Sequence, residues 1–119
     1  YPAEYGRRNL LRFLFAQPPR AWCLVADANG TLAGYATYSL EFSTWSAAEY
    51  VHMDCLFVRE ASRNTGIGAQ LVRHIVNASR ALECDHIEWQ TPSWNTDAMR
   101  FYERAGAIAA AKTRYKLAL

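Results

Sequence analysis

The run with the clearest chemical promise is Arg63-Asn64-Thr65-Gly66-Ile67-Gly68, set between the apolar stretch Leu56-Phe57-Val58 and a segment of helical spacing. Gly66 and Gly68 lack a Cβ, so the backbone there can approach a ligand closely. A polar turn that opens a helix presents free N–H groups at the positive end of the helix dipole, which together favour an anion such as phosphate. Arg63 adds a full charge beside it. The same residues also suit an ordinary glycine-rich helix start. No Gly-Lys-Ser/Thr follows, so this is not a Walker loop, and neither G-x-G-x-x-G nor its later acid is present. A second group is aromatic: Tyr38, Phe42, Trp45 and Tyr50 could wall a pocket and offer cation–π contact to an amine, or pack as sheet core and dimer contacts. Cys23, Cys55 and Cys84 form no C-x-x-C pair and read as free thiols in a reducing cytosol. His52, His74 and His86 lack metal-ligand spacing, so no metal is expected.

The elements that must position these groups follow from periodicity. Leu10, Leu11, Leu14 and Phe15 recur at helical spacing, so residues 4 to 16 read as an amphipathic helix stopped by Pro18-Pro19. Trp22 to Ala28 reads as a strand, Asn29-Gly30 as a hairpin turn, and Thr31 to about Phe42 as the return strand. Ser43 to Ala48 makes a loop before another strand, Tyr50 to Val58. Ile67, Leu71, Ile75, Ala78 and Leu82 mark one face of a long helix beginning near Gly66. His86 to Thr91 is a short strand ended by Pro92. Asn95 or Thr96 can cap a helix running to about Arg104 and closed by Gly106. Ala107 to Leu119 has the spacing of a last strand. Antiparallel strands come first and helical crossovers then make neighbours parallel, so the order α-β-β-β-α-β-α-β predicts a mixed α/β sheet.

Bulk properties narrow the class. At 119 residues the chain is read as one domain, and 51% hydrophobic with 13% aromatic content marks a folded protein. A net charge of only +2, with basic residues scattered, disfavours nucleic acid and membrane surfaces. No apolar run approaches the roughly 20 residues needed to span a bilayer. No signal peptide is visible, which with the free thiols suggests the cytoplasm. The chain begins at Tyr1 rather than Met, as expected if an N-terminal piece has been lost or removed.

The second half of the sequence makes the glycine turn specific. W-N-T-D-A-M-R-F-Y-E-R-A-G-A follows the next strand, one crossover helix beyond the turn. R-N-T-G-I-G-A and N-T-D-A-M-R-F-Y-E-R-A-G-A, in this order, resemble the two signatures of the GNAT superfamily of acetyl-CoA-dependent N-acetyltransferases, over roughly residues 20 to 118. Within it, G-Y-A-T-Y-S-L-E-F-S-T-W and Y-V-H-M-D-C-L-F-V are similar to the spermidine/spermine and thialysine acetyltransferase branch. Asp54 matches the first acid of that branch's pair, shortened from Glu, and Cys55 replaces the second. Ala109-Ala110-Ala111-Lys112 stands where the branch has another acid. These departures leave fewer carboxylates for a polycationic acceptor. The family's usual opening strand is not visible.

The resemblance implies a mostly antiparallel mixed sheet flanked by helices, with two splayed parallel central strands, here ending at Val58 and Thr91. It implies acetyl-CoA as co-substrate. The backbone of Leu56, Phe57 and Val58 would pair with the pantetheine amides, as an added strand would. Arg63, Asn64, Thr65, Gly66, Ile67, Gly68 and Ala69 would hold the pyrophosphate, and Asn95 would reach the pantetheine arm. Tyr102 matches the family's tyrosine that protonates the leaving thiolate. By strand alternation Asp54, Leu56 and Val58 share one face, which would put Asp54 close to the acetyl group, to attract an ammonium or remove its proton. Asp54, Trp45 and Tyr38 are the candidate acceptor-binding residues.

The expected acceptor is a small or diamine-like primary amine. A protein N-terminus or lysine side chain would need an open groove instead, and an inactive CoA-binding regulatory module is the reading from another class. Family members are commonly homodimers, so a second copy is the expected macromolecular partner.

Overall fold

The computed structural model describes residues 11, 12 and 14–119. Most of the helix expected at 4 to 16 lies outside them, although Leu11, Arg12 and Leu14 are helical. Strand β1 (Ala21–Ala28) turns at Asn29-Gly30 into β2 (Thr31–Ser43). Both turn residues have positive φ, 54° and 82°, as a two-residue hairpin of this hand requires. A second turn leads into β3 (Ala48–Val58), which runs antiparallel to β2 from Ser43↔Ala48 to Gly34↔Val58. At Gly34 the two strands approach so closely that a Cβ would come within 2.6 Å of the Phe57 carbonyl oxygen. Glycine is the residue that fits there.

After a short 3-10 turn (Glu60–Ser62), helix α1 (Ile67–Ala81) crosses one face of the sheet. Its Leu71 and Ile75, one turn apart, are buried against Ala36 and Tyr38 of β2 and Val51 and Met53 of β3. The buried Ser79 hydroxyl donates to the Ile75 carbonyl, so this polar group costs the core little. Strand β4 (Ile87–Glu88) then pairs parallel with β3 at Val51↔Ile87 and His52↔Glu88, and helix α2 (Thr96–Arg104) follows. The sheet order is β1-β2-β3-β4, a mixed open α/β sheet.

Two expectations need correction. The strand read from His86 to Thr91 shrinks to Ile87–Glu88. The stretch 107–119 forms no strand: Ile108, Tyr115, Leu117 and Leu119 are all almost wholly exposed. β4 keeps only the two residues that pair with β3. The tail has no partner backbone among the described residues, and alternation alone cannot form a ladder without one.

Candidate active site

At the end of β3 the chain makes the polar turn that the glycines mark. Asn64 has φ 63° and Gly66 has φ 88°, so two left-handed residues curl the backbone ahead of α1. The helix's first bond runs from the Gln70 N–H to the Gly66 carbonyl. The N–H groups of Ile67, Gly68 and Ala69 therefore precede any intrahelical acceptor, and Gly66 as N-cap supplies no side chain to satisfy them. The Thr65 hydroxyl donates to the Ser62 carbonyl, fixing the turn from within. Arg63 donates through Nε to the Val58 carbonyl at 3.1 Å, which ties the guanidinium to the strand end and leaves its terminal nitrogens as donors.

These features fit a diphosphate. A Cβ at Gly66 would meet nothing within 4 Å, so that face of the turn is open. Gly68 is different. A Cβ there would press on the Phe101 ring at 3.1 and 3.3 Å, so this glycine lets α2 pack against the start of α1. Only its N–H remains for a ligand, a correction to reading both glycines as ligand clearance.

Along β3, pairing with β4 stops at His52↔Glu88, while the strand continues to Val58. Leu56 and Val58 turn their side chains toward the core and Phe57 is exposed. The edge of this run away from β2 has no strand beside it among the described residues, with the Val58 carbonyl already accepting from Arg63. That edge fits the amides of an extended ligand arm. Asn95 caps α2, its Oδ1 accepting from the Ala98 N–H at 3.2 Å. The capping oxygen is taken, and the amide nitrogen is the group free for a cofactor arm.

Asp54 occupies a β-bulge. Thr37 pairs with Cys55 and Tyr38 with Met53, so Asp54 is the extra residue on β3. The bulge resets the alternation. Val51 and Met53 before it, and Leu56 and Val58 after it, pack with the α1-side core, whereas Asp54 is exposed and lines a cavity with His52. The expected shared face of Asp54, Leu56 and Val58 is therefore overturned, because one inserted residue shifts the period of two.

Tyr38 also lines that cavity, but it is buried and stacked on Trp22 at 5.3 Å, so it serves as floor more than as a mobile wall. Trp45, at the tip of the β2–β3 turn, is 98% exposed. Of the other aromatics, Phe42 is exposed and Tyr50 stacks on His86 at 5.2 Å. Tyr102 lies elsewhere, half-buried on α2 against Trp89 (5.1 Å) and packed on the core side. Burial raises its phenol pKa above 10.0, so it holds its proton at neutral pH. Sequence reasoning missed Thr37, Ser39 and Glu41, which line the Asp54 cavity. Their period-two spacing on β2 was the available signal.

The arrangement is thus an uncapped helix N-terminus, an open strand edge leading to it, and a bulged carboxylate behind. A family model, described as acetyltransferase (GNAT) family, matches residues 1–107. The chain belongs to the GNAT family. It is 25% identical over 112 residues to a spermidine/spermine N(1)-acetyltransferase-like protein of Homo sapiens, covering 88% of this chain and 16% of that protein. It is 27% identical over 116 residues to the D-amino-acid N-acetyltransferase of Saccharomyces cerevisiae, covering 97% and 71%. The chain therefore spans about a sixth of the first relative's length. Among solved structures, AAC(6')-Iy in complex with the bisubstrate analogue CoA-S-monomethyl-acetylneamine superposes with a TM-score of 0.86 at 17% identity, covering 100% of this chain and 82% of that one. That is a likeness of fold. GNAT enzymes use acetyl-CoA as co-substrate, and this GNAT domain carries the turn and strand edge suited to it. No helix among the described residues is long and apolar enough to cross a membrane.

Proposed function

We propose that this chain is an acetyl-CoA-dependent N-acetyltransferase acting on a small primary amine. The observation that carries the reading is the bulged Asp54, which points a carboxylate into a cavity beside the unpaired run of β3. Acetyl-CoA would supply the acetyl group as a thioester open to attack by an amine. The N–H groups of Ile67, Gly68 and Ala69, with Arg63, would hold the diphosphate. The open edge at Leu56, Phe57 and Val58 would hold the amides, and a strand N–H near Leu56 would donate to the acetyl carbonyl oxygen.

Asp54 attracts the ammonium form of the acceptor and takes a proton from it, directly or through water. Tyr102 carries the proton for the departing thiolate. A phenol is a weaker acid than an alkyl thiol near pKa 8.5, so neighbouring positive charge must ease this transfer. An attacking amine must be neutral, so turnover should rise with pH.

An acceptor panel followed by thiol release tests the reading. Small primary amines should be acetylated, and Asp54→Asn should lower kcat/KM for all of them while leaving CoA affinity unchanged. CoA binding without thiol release on any amine would make the chain an inactive CoA-binding module. Faster turnover of peptide N-termini or lysine peptides would make it a protein acetyltransferase.

The partner we propose is a second copy. The tail 107–119 places Tyr115, Leu117 and Leu119 on alternate positions, exposed, and carries Lys112, Arg114 and Lys116 with no acid. The outer edge of β4 has no strand beside it among the described residues, and Asp85 and Glu88 flank it. A cavity of about 260 Å³ between α1, β4 and Ala105–Ala107 would take an apolar side chain there. An unpaired edge and an apolar tail of opposite charge suit each other.

A further inference from the structure

The cavity that holds Asp54 has a second acid at its other end. About 290 Å³ in volume, it is lined by Thr37, Ser39 and Glu41 of β2, His52 and Asp54 of β3, with Tyr38 beneath and Leu14 at its rim. Thr37, Ser39 and Glu41 are alternate residues of one strand, so the cavity is a trough running along β2. Asp54 enters where Thr37 faces Cys55, and Glu41 lies further along, where it faces Tyr50. Three to four residues of antiparallel strand separate the two positions, roughly 10–14 Å at ~3.4 Å per residue.

No ion pair joins Asp54 or Glu41 to a lysine or arginine among the described residues. Glu41 is nonetheless held in place, because the Ser39 hydroxyl donates to its Oε1 at 3.0 Å. An oriented carboxylate at one end and the amine-attracting carboxylate at the other match a ligand with two separated positive charges. A single ammonium can satisfy only one of them.

We propose that Glu41 is a specificity-determining residue of the acceptor site. It reads a second cationic group, on the order of 10 Å from the reacting nitrogen, so acceptors with two positive groups are favoured over monoamines. The inference rests on the acceptor reading given above. It also revises the expectation of few anionic contacts: the acid missing at Cys55 and at Ala109–Ala111 is replaced from β2. Both carboxylates are solvent-exposed, so the gain is modest, about three- to tenfold in KM.

The test is a chain-length series of α,ω-diamines, each paired with the monoamine of the same length, on wild type, Glu41→Gln and Glu41→Asp. Wild type should show a diamine-to-monoamine ratio of kcat/KM of about three to ten at the best length. Glu41→Gln, which can still accept from Ser39, should bring that ratio to about one by raising the diamine KM, with the melting temperature unchanged. Glu41→Asp should keep a preference and shift its best length upward. An unchanged ratio in Glu41→Gln overturns the proposal even if every amine is a substrate. Absence of monoamine and diamine turnover in wild type would instead remove the acceptor reading itself, so the two failures are distinct.

Discussion

From Ala48 to Met53, β3 has β2 on one side and, at Val51 and His52, β4 on the other, and it buries Val51 and Met53 completely or nearly so. From Asp54 to Val58 the same strand keeps β2, loses β4, and exposes Asp54, Cys55 and Phe57. The difference teaches how one strand divides its work. Where strands flank it on both sides, as at Val51 and His52, β3 has no free backbone groups to offer a ligand. Where only β2 flanks it, its outer edge can recognise one because the rest of the strand holds it still.

The largest effect should come from Tyr102, which sits against Trp89 just past the point where β4 stops. Tyr102→Phe keeps the ring and its packing and deletes the proton. Steady-state turnover should fall roughly 10²–10⁴-fold with CoA affinity and thermal stability unchanged. Near-normal turnover would return Tyr102 to a packing role and erase the contrast on the open side.

A smaller effect is expected where the tail would meet β4. Leu117→Asp should remove about 1.5–3 kcal/mol of apolar burial and weaken self-association roughly ten- to hundredfold, read by sedimentation. A wild-type chain that is monomeric at high concentration would show instead that the β4 edge stays open.

The smallest effect concerns the closed half. His86 holds Asp85 Oδ1 at 2.7 Å through Nδ1 and Glu88 Oε2 at 2.8 Å through Nε2, and both nitrogens can donate only as imidazolium. The hydrogen bond to Asp85, then that to Glu88, raises the His86 pKa above 6.5. The bond to His86 lowers that of Asp85 below 3.8. A raised histidine stabilises fully below its unfolded value and loses this as pH climbs through the folded one. A lowered carboxylate stabilises above its unfolded value and loses this as pH falls through the folded one. Stability from this clamp therefore lies between the two, and a melting series taken upward from about pH 6 should decline. His86→Gln should flatten that decline. The change is slight, since the imidazole is 43% exposed.

Much of this was legible in the residues. Asn29-Gly30, the 3.6-residue spacing of Ile67, Leu71 and Ile75, and the cap at Asn95 each depend on neighbours in sequence, and each element formed within a residue or two of its expected place. The glycine turn was legible for the same reason. What sequence hid depends on a partner strand. The bulge at Asp54 exists only in register with Thr37 and Tyr38, so alternation assigned the wrong face. Nothing in the sequence singles out Glu41; the register sets it in the same trough as Asp54. The tail's alternation was plain, but alternation does not say which backbone will accept it.

The bulge also bears on how this domain could be re-engineered. Because Asp54 is a single supernumerary residue, a deletion there would let the ladder close and would leave the trough without its carboxylate while every other side chain kept its face. A substitution, by contrast, would change the chemistry and keep the geometry. Acceptor repertoires grafted onto this scaffold must therefore conserve the length of β3 before its composition, and any alignment that slides a gap across positions 53 to 55 will transplant the wrong residue.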